Sequence, residues 1–197
     1  MQESETMILY ILNMDRFEKS KYCQAQLKHK KHHQAGLYLL QNALGKEAYE
    51  QAEFAAGEHG KPYIIGNPVH YNISHSGKYV VLVTAAGEVG VDVQEKKSAY
   101  LDAMAKRFFA PEEWQALSGC DTFEAREDLF FHIWCRKEAY GKYLGLGLLG
   151  NVLKTNVLQG MEGCCFQEYD GLEGYQISIC CGKEEKIEEA VSVFEGL

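Results

Sequence analysis

Residues 130–142, reading Phe-Phe-His-Ile-Trp-Cys-Arg-Lys-Glu-Ala-Tyr-Gly-Lys, constrain this chain more than any other stretch, because core-like aromatics give way to charge inside what reads as one helix. Residues four apart stack in rows along a helix. Over 126–144, Phe130, Trp134, Glu138 and Lys142 therefore share one row, and Leu129, Ile133 and Lys137 share its neighbour. Each apolar row runs into a charge. An exposed Glu138 and Lys142 pair would stabilise a helix by only roughly a few tenths of a kcal/mol. This pair instead lies on the stripe that should face the interior, so Glu138 reads as a candidate catalytic or metal-binding carboxylate.

The chain has 197 residues, 46% of them hydrophobic, enough for one large domain or two small fused ones. Its longest apolar runs, 7–12 and 79–86, are too short to span a bilayer, and the opening Met-Gln-Glu-Ser-Glu is acidic where a secretory signal is basic. The expectation is a cytoplasmic protein that does not enter the membrane. Seven cysteines include two adjacent pairs, Cys164-Cys165 and Cys180-Cys181, which lack zinc-site spacing and read as reduced core thiols. A net charge of -8 argues against nucleic acid as a partner. Local basic clusters around Lys28 and Lys31, at Lys96-Lys97, at Lys106-Arg107 and at Arg136-Lys137 suit a small polyphosphate better than a duplex.

In chain order, 7–12 reads as a strand and 16–42 as helical, in two pieces. A weaker helical segment covers 46–56, and glycines and prolines mark turns through 57–68. The polar run Tyr71-Asn-Ile-Ser-His-Ser76 follows. It lacks the Gly-x-Ser-x-Gly of a nucleophile elbow, and its hydroxyls and imidazole suit phosphate better. Segments 79–85 and 89–94 read as the strands of a hairpin turning at Ala86-Gly87-Glu88. In the second, alternation puts Val89, Val91 and Val93 on one face and Gly90, Asp92 and Gln94 on the other. Helices are expected over 99–109 and 110–117, a hairpin from 163–169 and 175–181, and a last strand at 190–194. Magnesium commonly takes one or two carboxylates together with phosphate oxygens and water, so Asp92 and Glu138 would suffice if the fold joins them.

Five motifs in order, Gly60-Lys-Pro62, Tyr71-Asn-Ile-Ser-His-Ser76, Gly90-Val-Asp-Val-Gln94, Lys106-Arg-Phe-Phe109 and Trp134-Cys-Arg-Lys-Glu-Ala-Tyr-Gly-Lys142, resemble the 4'-phosphopantetheinyl transferases of the surfactin type. The Trp-x-x-Lys-Glu-Ala form is that of one subgroup. The resemblance implies an α/β (α+β) fold of two similar subdomains related by a pseudo-twofold axis, each a small, mostly antiparallel sheet packed with helices. The ligand cleft would lie between subdomains 1–95 and 96–197. It further implies a magnesium-dependent monomer that moves the phosphopantetheine arm of coenzyme A to a serine of an apo acyl or peptidyl carrier protein, releasing adenosine 3',5'-bisphosphate.

Carried over position by position, Asp92 and Glu138 resemble the magnesium ligands, with Glu138 also the base. Lys142 resembles the lysine at the phosphates, Ser74 and His75 a phosphate-contacting pair, Lys61 the lysine beside the nucleotide, and Lys137 one whose ammonium faces the coenzyme. Two positions depart from the pattern. Gln94 stands where many relatives have an acid, which would weaken metal binding without adding charge, although its amide can ligate directly or through water. An arginine expected near the 3'-phosphate is missing, leaving Lys28, Lys31 or His33 as substitutes. A coenzyme-binding regulatory protein with weak or lost turnover is the alternative reading, and a magnesium-dependent nucleotide hydrolase a third.

Overall fold

The computed structural model describes residues 7–23, 30–97, 101–149, 151–183 and 185–193. Lys28, Ala99 and Phe194 lie outside these, so the basic cluster around Lys28, the start of the helix expected at 99 and the tip of the last strand are described only in part.

Two small sheets form the centre. Strands β1 (Met7–Asn13), β4 (His70–Ser76), β5 (Tyr79–Ala85) and β9 (Ile187–Val193) make the first, in the order β4-β5-β1-β9, with β9 parallel to β1 and the other pairs antiparallel. Strands β6 (Gly90–Glu95), β7 (Cys164–Glu168) and β8 (Tyr175–Gly182) make the second, antiparallel in the order β6-β8-β7. A short hairpin joins β2 (Phe54–Ala56) to β3 (Pro62–Ile64).

The period-two pattern of the strands sets the layers. Leu9, Ile11, Val81 and Val83 from the first sheet interlock with Val91, Val93, Ile177 and Ile179 from the second in one buried cluster. The other face of the first sheet, with Leu12, Val80 and Leu82, packs on Leu39 and Leu40 of α2 (Lys31–Leu44), beside α1 (Met14–Phe17) and α3 (Lys46–Gln51). The other face of the second sheet meets α6 (Phe123–Tyr143), the long helix of residues 130–142. Beyond α6, the helices α4 (Leu101–Phe108) and α5 (Pro111–Ser118) close a third cluster around Phe109, Phe130 and Ile133. Thus α6 is covered on both sides, which explains why its aromatic rows and its charges are both drawn inward.

The hairpin expected from 79–85 and 89–94 does not form: β5 pairs with β4 and β1, while β6 pairs with β8. A reversal does occur at 86–88, but it carries the chain from one sheet to the other. The polar run at 71–76 lies in strand β4. In the sheet pairings β6 belongs with β7 and β8, and β9 returns to β1. Each described cysteine is a free thiol. No helix among the described residues is long and apolar enough to cross a membrane.

Candidate active site

Between the two sheets, β4 and β6 lie edge to edge without sharing a ladder. Alternate side chains of β4 supply what a neighbouring strand would: Asn72 Oδ1 accepts from the Val91 amide at 2.9 Å, Ser74 Oγ from the Val93 amide at 3.4 Å, and Ser76 Oγ from the Glu95 amide at 3.0 Å. Buried backbone donors need such partners. The Asn-x-Ser-x-Ser spacing within 71–76 is therefore first a seam, and it delivers Ser74 to the carboxylate of Asp92.

Asp92 is 2% exposed, at the centre of β6. Its Oδ1 accepts from Lys142 Nζ at 2.6 Å and from Ser74 Oγ at 2.8 Å; its Oδ2 accepts from Gln94 Nε2 at 2.9 Å and from the Cys135 thiol at 3.4 Å. Lys142 Nζ also donates to Ser74 Oγ at 2.9 Å and to the Val91 carbonyl at 3.0 Å. The helix can come this close because Gly90 has no side chain. A Cβ there would stand 2.2 Å from the Ala139 carbonyl oxygen and 2.4 Å from the Tyr143 amide nitrogen. Gly90 and Asp92 share one strand face, so the position that admits α6 is two residues from the one α6 must reach.

Glu138 sits one turn before Lys142, with no hydrogen bond to its carboxylate among the described residues. Burial first, and then the charge of Asp92, push its pKa up to about 7, against the pull of Lys142. Burial raises the Cys135 thiol well above its ordinary range, so it donates to Asp92 as a neutral group. Asp92 and Glu138 thus confront each other with Lys142 as the cation that both feel. No group of three or more His, Cys, Asp and Glu side chains suited to a metal forms among the described residues. The donor set at this point is two carboxylates and the Gln94 amide, hard oxygen ligands of the kind a divalent cation such as magnesium takes when a ligand and water complete its shell.

A raised carboxyl pKa has a definite consequence for stability. Between the ordinary 4.5 and about 7 the folded chain binds more protons at Glu138 than the unfolded chain, so this group's contribution to stability is largest at low pH and falls as pH rises through about 7. A carbon-13 titration of metal-free protein should place Glu138 near 7, and Asp92→Asn should lower it. An unchanged value in that variant would show that the two carboxylates do not interact.

The other expected residues are placed as follows. His75 is exposed, with its ring stacked on His32 at 4.6 Å between centroids. Partial screening from water by its neighbours, and then the charges of His32 and Lys142, lower its pKa. His32 Nε2 donates to the Gly77 carbonyl at 3.2 Å, so the α2 residue that meets the β4 motif is His32, not His33. Nothing in the sequence distinguishes adjacent histidines; the helical phase of α2 does. Lys31 is paired with Glu18. Lys61 donates to Glu88 at 2.5 Å, and to the carbonyls of Val89 and Tyr143 at 3.1 Å each. It thereby caps α6, where a cation is favoured, at the mouth of a cleft of about 520 Å³ lined by Pro62, Tyr63, Tyr71, Leu144 and Leu146.

Lys137 departs from its expected orientation. Its side chain is 0% exposed, and its ammonium contacts Glu113 at 2.7 Å rather than turning toward Asp92. Helical phase explains the difference: Lys137 continues the row of Ile133, which faces α4 and α5.

The sequence model of the 4'-phosphopantetheinyl transferase superfamily matches residues 88–180, which run from β6 through α6 to β8. A 4'-phosphopantetheinyl transferase of Bacillus subtilis is 34% identical over 141 residues, covering 64% of this chain and 62% of the relative. The 4'-phosphopantetheinyl transferase Sfp of Bacillus subtilis (strain 168) is 31% identical over 153 residues, or 71% of this chain and 67% of the relative. For 4'-phosphopantetheinyl transferase psf-1 of Bacillus pumilus the figures are 33% over 147 residues, 68% and 62%. The chain therefore spans somewhat under, or just about, two thirds of these relatives' length. With this match, and with Ser74, Asp92 and Lys142 meeting between the two sheets, the chain belongs to the 4'-phosphopantetheinyl transferase superfamily.

Proposed function

We propose that this protein transfers the phosphopantetheine arm of coenzyme A to a serine hydroxyl of an apo carrier protein, releasing adenosine 3',5'-bisphosphate. The observation that carries this reading is the junction of Asp92, Glu138, Lys142 and Ser74, brought from three elements into one polar cluster. The reaction is attack by an alcohol on a pyrophosphate. It needs cationic groups on the phosphate oxygens and a base for the alcohol.

Each residue has a part. Glu138, whose carboxylate has no hydrogen-bond partner among the described residues and whose pKa is raised to about 7, accepts the serine proton. Lys142 and Ser74 hold phosphate oxygens, and Lys142 does so by exchanging part of its contact with Asp92. His32 of α2 and His75 of β4 stack beside this point and bind the phosphate at the nucleotide end. Lys61 borders the cleft that accepts the nucleotide, where a phosphate would compete with Glu88 for its ammonium. Asp92 and Glu138 would hold magnesium, with Gln94 turning its amide oxygen inward or acting through water; when bound, the ion offsets pyrophosphate charge and draws Glu138 to its ionised form.

The test is direct. Purified protein is mixed with coenzyme A, magnesium and several apo carrier proteins, and each carrier is weighed by mass spectrometry. The expected result is a gain of one phosphopantetheine arm on at least one carrier, abolished by chelation of the metal. Coenzyme A hydrolysed without any carrier would instead favour a nucleotide hydrolase.

A further inference from the structure

Lys137 and Glu113 form an ion pair in which both side chains are 0% exposed. Burying two charges is costly unless every donor and acceptor is met, and here they are. Besides Glu113, the ammonium donates to the carbonyls of Leu153 at 2.8 Å and Thr155 at 2.7 Å. Glu113 Oε2 also accepts from the Ala110 amide at 2.7 Å, and Oε1 from the Val157 amide at 2.8 Å. Four backbone groups, from the start of α5 and from residues 153–157, converge on a single charge pair. Lys154 extends the connection by donating to the carbonyls of Arg107 and Phe109 at the end of α4, at 2.8 and 3.3 Å.

We infer that the Lys137–Glu113 pair is a positioning device for the site: it fixes the rotation and height of α6 from the side away from the second sheet, and so sets where Glu138 and Lys142 stand relative to Asp92. On the sheet side α6 abuts β6 at Gly90 and is held there by Lys142 and Cys135, which donate to Asp92, and by Arg136, which donates to Glu168 of β7 at 2.7 Å. On the far side it is held by Lys137, the residue immediately before Glu138. Because its three donors are already taken, Lys137 contributes to turnover without touching the coenzyme. The inference rests on the transferase reading above for its kinetic consequence, not for its structural one.

The test compares wild type with Lys137→Met, Glu113→Gln and the double variant. A single change leaves one buried charge without its partner, whereas the double change removes both charges and is the milder lesion. Displacement of a reacting group by about 1 Å can cost on the order of a hundredfold in rate. The expected result is therefore a fall in kcat of roughly tenfold to a hundredfold in each single variant, with the calorimetric Kd for coenzyme A unchanged, and recovery of most of the loss in the double variant. Amide hydrogen exchange should accelerate in 151–157 and the second half of α6 in the single variants, with β1 and β5 unaffected. A weakened coenzyme Kd with kcat preserved would overturn the inference by making Lys137 a ligand contact. So would a double variant as slow as Lys137→Met, or exchange that rises uniformly across the chain. If Lys137→Met does not fold, Glu113→Gln carries the same comparison. Should wild type bind coenzyme A but transfer nothing, the transferase reading fails, while the exchange pattern still decides whether the pair positions α6.

Discussion

Replacing Glu138 with Gln should lower carrier modification on the order of a hundredfold to ten-thousandfold, the range expected when a positioned base is lost, while coenzyme A binding is largely retained. The substitution keeps shape and removes only charge. Its effect on stability should run the other way from its effect on rate. Burial and Asp92 disfavour the ionised carboxylate, holding its pKa at about 7, so the Gln variant should melt higher than wild type at pH 8 and about equally at pH 5. Activity lost together with a pH-dependent gain in melting temperature would identify a group kept in a costly state for chemistry. A variant that transfers at the wild-type rate removes Glu138 from the mechanism.

The second large effect is expected at a residue with no side chain. Gly90→Ala would place a methyl carbon 2.2 Å from the Ala139 carbonyl oxygen and 2.4 Å from the Tyr143 amide nitrogen, and neither is the flexible end of a side chain. Either α6 or β6 must move. Overpacking of this kind costs about 1–3 kcal/mol and occasionally more, and backbone against backbone belongs at the upper end. Urea denaturation should show that loss, and the surviving folded protein should turn over on the order of a hundredfold more slowly because Glu138 and Lys142 are pushed away from Asp92. Gly160→Ala is the control, since a Cβ there meets nothing within 4 Å. A Gly90→Ala protein as stable and active as that control would mean that α6 does not rest on β6 as described.

Local pattern made some of this legible and left the rest hidden, for identifiable reasons. The i, i+4 rows of 130–142 placed Glu138 and Lys142 on a covered face, and alternation in 89–94 put Gly90, Asp92 and Gln94 together, because both periods are properties of one element. Partners are not. The turn at 86–88 announces a reversal but not which sheet receives the next strand, so two strands that read as a hairpin belong to different layers. Lys137 has the same difficulty: the motif gives its type and neighbours, while its direction depends on Glu113 in another helix. The hydroxyls of Ser74 and Ser76 suggested phosphate, yet both also accept from the β6 edge, a role visible only once that edge has a position. The choice of His32 over His33 turns on the phase of α2, which a run of basic residues does not reveal.

The return of β9 to the first sheet bears on how the chain reaches this state. Strand β1 pairs on one side with β5 and on the other with Ile187–Val193, so its second partner is made after almost all of the intervening chain. During synthesis β1 would wait with an open, apolar edge until residue 193 has emerged. Pairings of such long sequence separation slow folding, and uncovered edges invite association between chains. Refolding should therefore be slow for a protein of this size and its yield should fall with concentration, with the closing of one parallel strand pair as the step that ends the hazard.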